Sequence, residues 1–422
     1  MSYKKLFGNA AIYFGANILN ASIPFLLLPI LTRVLTPVDY GVVAMFGVAV
    51  NIFGAFTGVS VHGAAVRYFQ FDTQQMSEYM GTCLRILFVS MALMLGIVVL
   101  SGAWLTKLTQ VPIDWLLVAV LMSSAQSIIH IRLSLWRVQH RAVYYGSLQI
   151  SQTFVNAGLS LYLVLALGMA WQGRLLGQII SATLFMVLSL YWLVKFREIA
   201  KPSTPRENTV DALKFGIPLI PHVIGGLLIS AIDRFMITNL LDLSQAGIYM
   251  VVYQIGTAIG LLTQAFHNSY SPWLMGQIST KNTVRDCKIV RGTYLYFIAI
   301  SLLAIAIGLL APWLFLLVGK EFRGAAPILI YVAMGQAFSG MYLIVSTYIF
   351  FASKTAYLAW ITLFTGIFNV IAIYFLIKVN GLIGVAQAFM LSTALKFIGT
   401  WLLSHKAHPM PWRQALLPLR LS

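Results

Sequence analysis

The hydrophobic and polar positions alternate on a long scale: apolar stretches of about 20 or more residues, each separated from the next by a short polar turn. A helix of that length crosses the hydrocarbon core of a bilayer. The first six spans are predicted at Phe7–Arg33, Tyr40–Phe69, Thr82–Leu105, Ile113–Leu133, Gly146–Met169 and Gly173–Phe196. A polar linker, Arg197 to Asp211, holds Pro202, Ser203, Thr204 and Pro205, and six more spans follow at Leu213–Asn239, Ala246–Gln277, Gly292–Val318, Ala325–Ala352, Tyr357–Lys378 and Leu382–Ser404. The chain thus divides into an N-terminal bundle (1–196), a linker (197–211) and a C-terminal bundle (212–422).

The halves repeat one another. Leu35 and Gly41 in the first have counterparts in Leu241 and Gly247, and Gly54 has Gly260, each at an offset of 206. Six helices per half return the chain to the same side of the membrane. The fold class is therefore all-α polytopic, with about 12 transmembrane helices in two six-helix bundles related by a pseudo-two-fold axis along the membrane normal.

Polar residues recur at helical spacing along several spans. The second carries Gly47, Asn51, Gly54, Gly58 and His62; the eighth carries Tyr253, Thr257, Gly260, Gln264 and Asn268. Asn9, Tyr13, Asn17 and Asn20 mark the first, Ser123, Ser127, His130 and Ser134 the fourth, and Gln149, Thr153, Asn156 and Ser160 the fifth. Such stripes either glue helices together or wet an interior. The pairs Gly54/Gly58 and Gly256/Gly260 have the spacing of close helix contacts.

The seventh span, Leu213–Asn239, is the most unusual. His222, Gly226, Ser230, Asp233 and Arg234 share one face, and Pro218 and Pro221 remove backbone donors in its first half, which predicts a kink. Placing one charge near mid-bilayer costs about 2.5–3.5 kcal/mol. Asp233 and Arg234 thus either face a polar cavity or lie near the outer end as a snorkelling anchor. Lys396, one turn after Ser392 in the last span, poses the same choice.

Composition narrows the class. Hydrophobic residues make up 59% and charged residues 9%, with mean hydropathy +0.85, far from a soluble domain. The net charge of +17 is scattered over short loops, which points to membrane orientation and not to nucleic acid. With the amino terminus inside, Lys4, Lys5, Arg132, Arg137, Arg141, Lys201, Arg285 and Lys288 all fall on the cytoplasmic side, while Arg33, Lys107, Arg174, Lys320, Arg323 and Lys378 lie in outer loops. Both termini are expected in the cytoplasm. Cys83 and Cys287 fall near cytoplasmic loops and imply no disulfide framework.

Enzymatic motifs do not assemble. Gly319-Lys320 is followed by Glu321 and has no upstream glycine, so no phosphate-binding loop for ATP exists. Acidic residues inside the spans are nearly limited to Asp233, too few for the paired carboxylates of a glycosidase. His62, His130, His222 and His267 lack metal-ligand spacing and read first as satisfied core histidines. A non-enzymatic protein without a metal is expected.

Three stretches carry a resemblance: Ile30-Leu31-Thr32-Arg33-Val34-Leu35-Thr36-Pro37-Val38-Asp39-Tyr40-Gly41, then Arg67-Tyr68-Phe69, and Ile232-Asp233-Arg234-Phe235-Met236 with Gly247-Ile248-Tyr249. They resemble the polysaccharide transporter family, the O-antigen flippases of the multidrug, oligosaccharidyl-lipid and polysaccharide exporter superfamily. The resemblance implies a bacterial inner-membrane protein that carries an undecaprenyl-diphosphate-linked oligosaccharide from the cytoplasmic to the periplasmic leaflet. It also implies a V-shaped cavity between bundles and alternating access. The expected partners are that lipid-linked sugar, membrane lipids and other polysaccharide assembly proteins. No cofactor is expected; coupling to protons or sodium, frequent in the superfamily, would fall to Asp233 or the histidines. On this reading Arg234, Lys396 and Arg67 meet the diphosphate or acidic sugars, because guanidinium groups bind phosphate through paired charged hydrogen bonds. Asp233 would orient Arg234, and Asn51, His62, Tyr253, Gln264 and His267 would line the sugar path. A multidrug exporter or a lipid II flippase of the same superfamily is the nearest alternative. A membrane enzyme of polysaccharide assembly, such as an O-antigen polymerase, would need a large periplasmic loop that the sequence lacks.

Overall fold

The computed structural model describes residues 3–71, 75–278, 282–352, 354 and 356–416. The side chains of Asn9, Tyr13 and His222, three of the polar positions read from the sequence, lie outside the described set. Among the described residues the regular structure is entirely helical: α1 (Tyr3–Val34), α2 (Pro37–Phe56), α3 (Val61–Phe71), α4 (Met76–Thr109), α5 (Ile113–Val138), α6 (Ala142–Leu161), α7 (Ala170–Lys195), α8 (Pro205–Gly216), α9 (Ile220–Ser230), α10 (Ile232–Leu240), α11 (Leu243–Ile278), α12 (Thr283–Leu309), α13 (Ala311–Leu314), α14 (Leu329–Phe351) and α15 (Ala356–Ala407).

Eleven segments among the described residues are long and apolar enough to span a membrane. The last, Tyr357–Ala407, has 51 residues, about 76 Å of helix, more than twice a hydrocarbon core. It breaks at Gly381, whose φ of 55° and ψ of −135° are not helical. The segment is therefore two crossings, divided between the spans expected at Tyr357–Lys378 and Leu382–Ser404, and the total among the described residues is twelve.

Two compact units emerge from the packing: Met1–Leu227 with Ile237–Ile248, and Leu228–Met236 with Tyr249–Ser422. In the first, α1 packs on α6, α6 on α7, and α5 lies against α2, α3, α4 and α7. In the second, α14 packs on α12 and α15. The division of the sequence at the linker 197–211 is a different quantity, and we retain it as a proposal about the repeat unit.

The linker is tied down along its length in the first unit. Glu198 accepts from Gln139 Nε2 (2.8 Å) and pairs with the fully buried Arg132, which also lies 4.3 Å over the Trp136 ring. The Ala200 amide donates to the Ser77 carbonyl (2.9 Å), the Ser203 amide donates to Glu78 (2.6 Å), and Asp211 pairs with Arg67. From Pro205 onward the linker is already helix α8, because Pro at the first turn and Glu207 beside it suit a helix N-terminus.

The repeated Leu…Gly motif has a structural basis at two helix starts. Thr36 caps α2 in a capping box: the Asp39 amide donates to Thr36 Oγ1 (3.2 Å) and the Thr36 amide donates to Asp39 Oδ2 (2.9 Å), with Pro37 in the first turn. At the equivalent place Asp242 Oδ1 accepts from the Gln245 amide (2.8 Å) at the start of α11. The two starts meet within the first unit. A Cβ on Gly41 would strike the Leu243 carbonyl oxygen, and one on Gly247 would strike the Pro37 carbonyl oxygen. The glycines permit a close crossing that no larger residue fits.

Three expectations need correction. The second span, predicted as one helix over Tyr40–Phe69, breaks between α2 and α3, where Gly58, Val59 and Ser60 take φ of 75°, 47° and 56°. A β-branched residue in that region is rarely tolerated, and a continuous apolar pattern gives no sign of it. Gly58 consequently belongs to a turn and not to a helix–helix seam; a Cβ at Gly54 meets only the Ser123 Cβ at 3.8 Å, while Gly256 and Gly260 do pack tightly, on Val332 and Gln336. The seventh span, predicted as Leu213–Asn239, has the expected interruption at its prolines, a 3-10 turn at Ile217–Leu219 carrying Pro218, and also an unexpected second one at Ala231 between α9 and α10.

The Gly41 crossing gives a stability prediction. Gly41→Ala forces a Cβ into backbone, and overpacking costs about 1–3 kcal/mol. The thermal midpoint of the purified protein should fall, whereas Gly96→Ala, where a Cβ meets nothing within 4 Å, should leave it unchanged.

Candidate functional site

The second unit holds the charged centre. Asp233 and Arg234 open the short helix α10, just after the break at Ala231. Asp233 is fully buried, and the Arg234 side chain retains 11% exposure. Neither reaches out as a surface anchor. Arg234 Nη1 lies 3.1 Å from Asp233 Oδ1, which also accepts the Arg234 backbone amide (2.8 Å). The same guanidinium donates to the Ser230 carbonyl at the end of α9 and stacks 4.1 Å over the Tyr253 ring of α11. The helix break explains the arrangement: it frees the Ser230 carbonyl for a side-chain donor and gives the first turn of α10 a carboxylate, where helix amides welcome negative charge. Tyr249, one turn before Tyr253, is fully buried beside Asp233.

Lys396 of α15 is differently held. Its ammonium lies 3.8 Å over the Tyr342 ring of α14, and among the described residues no carboxylate lies within ion-pair distance. One turn earlier Ser392 donates to Asn369 Oδ1 (2.9 Å), and Asn369 Nδ2 donates to the Leu228 carbonyl (3.0 Å). Tyr253 also meets Phe389 edge-on at 5.6 Å, and Gly260 leaves room for the Gln336 amide of α14. Aromatic faces, amides and two cations therefore share one unit. Of the other expected sugar-path residues on α11, exposed Gln264 donates to Asn268 Oδ1 (2.9 Å), and His267 Nε2 lies 3.3 Å from Thr347 Oγ1 while its Nδ1 is buried without a partner.

The first unit holds a separate polar pocket. It is lined by Asn51, Gly54, Thr57, Ser60, His62, Ser123, Gln126, Ser127 and His130, with Val223 and Leu227 on its apolar side. The break between α2 and α3 makes it, since the strained turn faces this space. Thr57 and Ser123 hydroxyls bond each other (3.0 Å). The His62 and His130 rings stand 6.3 Å apart and both are exposed to the pocket, so neither is the satisfied core histidine the sequence suggested. Asn51 and His62 are thus brought together; from α5 they are joined by His130, already part of the fourth span's polar stripe, and by Gln126, which the sequence did not single out.

Arg67 is engaged elsewhere. It pairs with Asp211 and lies 5.2 Å over Phe215 of α8, while Tyr79 donates to the same carboxylate (2.8 Å) and stacks on Tyr68. A diphosphate contact from Arg67 would have to break this clamp. Arg174, read from the sequence as an outer-loop cation, sits instead in α7, donating to Asn156 Oδ1 (2.9 Å) and Ser160 Oγ (2.7 Å) of α6. Beside it α6 ends in a π-helical turn, Tyr162–Ala166, a distortion frequent at functional positions.

Comparison with known proteins decides the family. The model of the family described as polysaccharide biosynthesis protein matches residues 6–275. The chain belongs to that family. A protein of the Lsg locus of Haemophilus influenzae is 25% identical over 365 residues, 83% of this chain and 86% of its own length. The solved lipid II flippase MurJ in an inward closed conformation superposes with a TM-score of 0.74 at 14% identity, over 95% of this chain and 87% of that one. A multidrug resistance MATE transporter in an inward-facing conformation gives 0.66 at 15% identity, over 92% and 94%. These likenesses show the fold, and with the family match they bear out the polysaccharide transporter resemblance.

The ion pair has a measurable signature. Asp233→Asn leaves the Arg234 charge buried beside a neutral group, and breaking one side of a buried pair costs about 3–5 kcal/mol. Asp233→Asn should lower the thermal midpoint of the purified protein, and adding Arg234→Gln should recover much of the loss. Additive effects of the two changes would mean that the charges do not depend on each other.

Proposed function

We propose that this protein is a flippase that moves an undecaprenyl-diphosphate-linked oligosaccharide, an O-antigen or related polysaccharide repeat unit, from the cytoplasmic to the periplasmic leaflet of a bacterial inner membrane by alternating access. The observation that carries this reading is Lys396: a cation within a membrane-spanning helix, resting on an aromatic face with no carboxylate among the described residues at ion-pair distance. A membrane interior tolerates such a charge only where an anion or water meets it. A diphosphate supplies the anion, and the family supplies the context of polysaccharide assembly. Arg234 is the second phosphate contact, aimed by Asp233. Tyr253 offers the sugar an aromatic face, and Asn51, His62, Gln264 and His267 offer hydrogen bonds. An exporter of cationic drugs would want the opposite charge at Lys396.

Asp233 also has the chemistry of a coupling group. Its carboxylate is fully buried in an ion pair beside Tyr249, the place where a proton or a sodium ion would bind during a transport cycle. The protein needs no catalytic residue or cofactor for this work, because the membrane gradient supplies the free energy.

Orientation follows from the basic loops, with both termini and the linker on the cytoplasmic side. A membrane-impermeant thiol reagent added from outside should modify Ser244→Cys and spare Ser203→Cys; the reverse labelling would invert the direction of transport.

The phosphate role separates Arg from a simple charge. Arg234→Ala should abolish polysaccharide display in cells while the protein reaches the membrane at normal abundance. Arg234→Lys should restore display only in part, since a point charge replaces a two-pronged donor. Full display with Arg234→Ala would remove this residue from the substrate path.

A further inference from the structure

Three segments of the second unit meet at one buried amide, Asn369. Asn369 and Ser392 are closed to solvent, at 0% and 1% exposure. They stand twelve and eleven residues to either side of Gly381, on the two arms of α15, so the bond between them lies about 18 Å along the helix from the turn. That depth is near the middle of a hydrocarbon core, where no water replaces a lost partner. The third segment is the end of α9. Asn369 Nδ2 donates to the Leu228 carbonyl (3.0 Å), and Ser392 Oγ donates to Asn369 Oδ1 (2.9 Å).

The chemistry allows this amide one orientation. A backbone carbonyl only accepts, so the amino group must face Leu228; the amide oxygen is then left for Ser392, whose hydroxyl has to be the donor. Turning the amide over would set two oxygens against each other at α9. The hydroxyl therefore pins the amide, and the amide pins α9. Leu228 and Ser230 both belong to the last turn of α9, where helix carbonyls have no partner inside their own helix. Asn369 takes the first and the Arg234 guanidinium the second. One end of this chain of bonds is the break that holds Arg234; the other is Ser392, one turn before Lys396 on the same helix face.

We propose that Asn369 is a positioning residue: it ties the opened end of α9 to the Lys396 arm of α15, so that Arg234 and Lys396, borne on different helices, stay in register. On this account Asn369 and Ser392 act through the two cations and not on the ligand. The use made of that register, to receive linked phosphates, rests on the flippase reading; the tether itself does not.

The test follows hydrogen exchange by mass spectrometry in the full-length protein in lipid nanodiscs. Ser392→Ala removes one hydroxyl on a helix other than the broken one. The amides of 228–236 should nevertheless exchange about threefold faster, since the amide facing Leu228 is no longer pinned. Asn369→Leu removes both bonds at similar volume and should speed the same amides about tenfold, the order expected from one lost buried hydrogen bond. Adding Ser392→Ala to Asn369→Leu should then change 228–236 no further, because the link is already cut. A role limited to local packing gives the opposite pattern: faster exchange confined to the neighbours of each changed residue on α15. Unchanged exchange in 228–236 with Ser392→Ala, or additive effects in the double variant, would overturn the tether. Should Asn369→Leu not fold, Ser392→Thr decides: it keeps the hydroxyl and should leave 228–236 as in the parent, whereas a change equal to that of Ser392→Ala would sink the proposal. Exchange is read without transport, so the two proposals fail separately. Coupled exchange with full display by Arg234→Ala would remove the Arg234 role and leave the tether standing, and uncoupled exchange with display lost in Arg234→Ala would do the reverse.

Discussion

A membrane interior does not hold an isolated charge, and the second unit is arranged around that constraint at Asp233 and Arg234. Two of the bonds made by the pair are ones that an unbroken helix would deny it. In a continuous helix the Ser230 carbonyl would take the Arg234 amide. Here the chain turns at Ala231, the amide goes to Asp233 and the carbonyl goes to the guanidinium. Two backbone groups orphaned by the break are thus satisfied by the two side chains whose burial needs justification. The Tyr253 ring then covers the cation, and Tyr249 covers the anion. Remove the break and the pair loses its partners; remove the pair and the break exposes unsatisfied backbone to an apolar medium.

Broken helices recur, and not where the repeat would put them. The α2–α3 turn builds the pocket of Asn51, His62 and His130. Its counterpart 206 residues on falls inside α11, which is uninterrupted there. The α9–α10 break falls, by the same offset, inside α1, which carries Pro24 and Pro29 yet remains one helix. What the halves keep in common is the pair of capped helix starts and the Gly41–Gly247 crossing. A duplicated framework has been retained where helices cross closely and has diverged where backbone is opened for polar work, which is where discontinuous helices place binding sites in transporters.

The sequence made legible what depends on local composition. Apolar run length located twelve crossings, even where the last two share one helical segment, because Lys378 ends one apolar run three residues before the glycine that divides them. Charge inside a span pointed to Asp233, Arg234 and Lys396, because the cost of burying a charge needs no tertiary knowledge. The failures share another cause. Gly58 looked like half of a packing motif, because nothing local shows its positive φ, its amide donating to Ser90 or the Leu87 side chain beside it, both from another helix. Arg67 looked available, because Asp211 lies 144 residues away in the chain. Arg174 looked like a loop residue, because nothing local shows that Asn156 and Ser160 turn toward it. Residue type told which groups need partners, and only the fold told which had found them.

That distinction sorts the cations. Arg67, Arg132 and Arg234 each face a carboxylate, and their charge is already balanced. Arg67 ties α3 to α8, Arg132 holds Glu198 of the linker, and Arg234 spans the α9–α10 break. Lys396 and Arg174 are held by neutral groups, an aromatic face in one case and an amide and a hydroxyl in the other. A neutral acceptor orients a cation without cancelling it, so these two keep their attraction for an incoming anion. Each also sits on a rigid helix and not on a loop, which keeps the charge in place while the ligand comes and goes. A cation whose position is fixed and whose charge is unspent draws an anion more strongly than one already paired, and Arg234 can do so only to the extent that Asp233 is neutralised by a proton or a cation of its own.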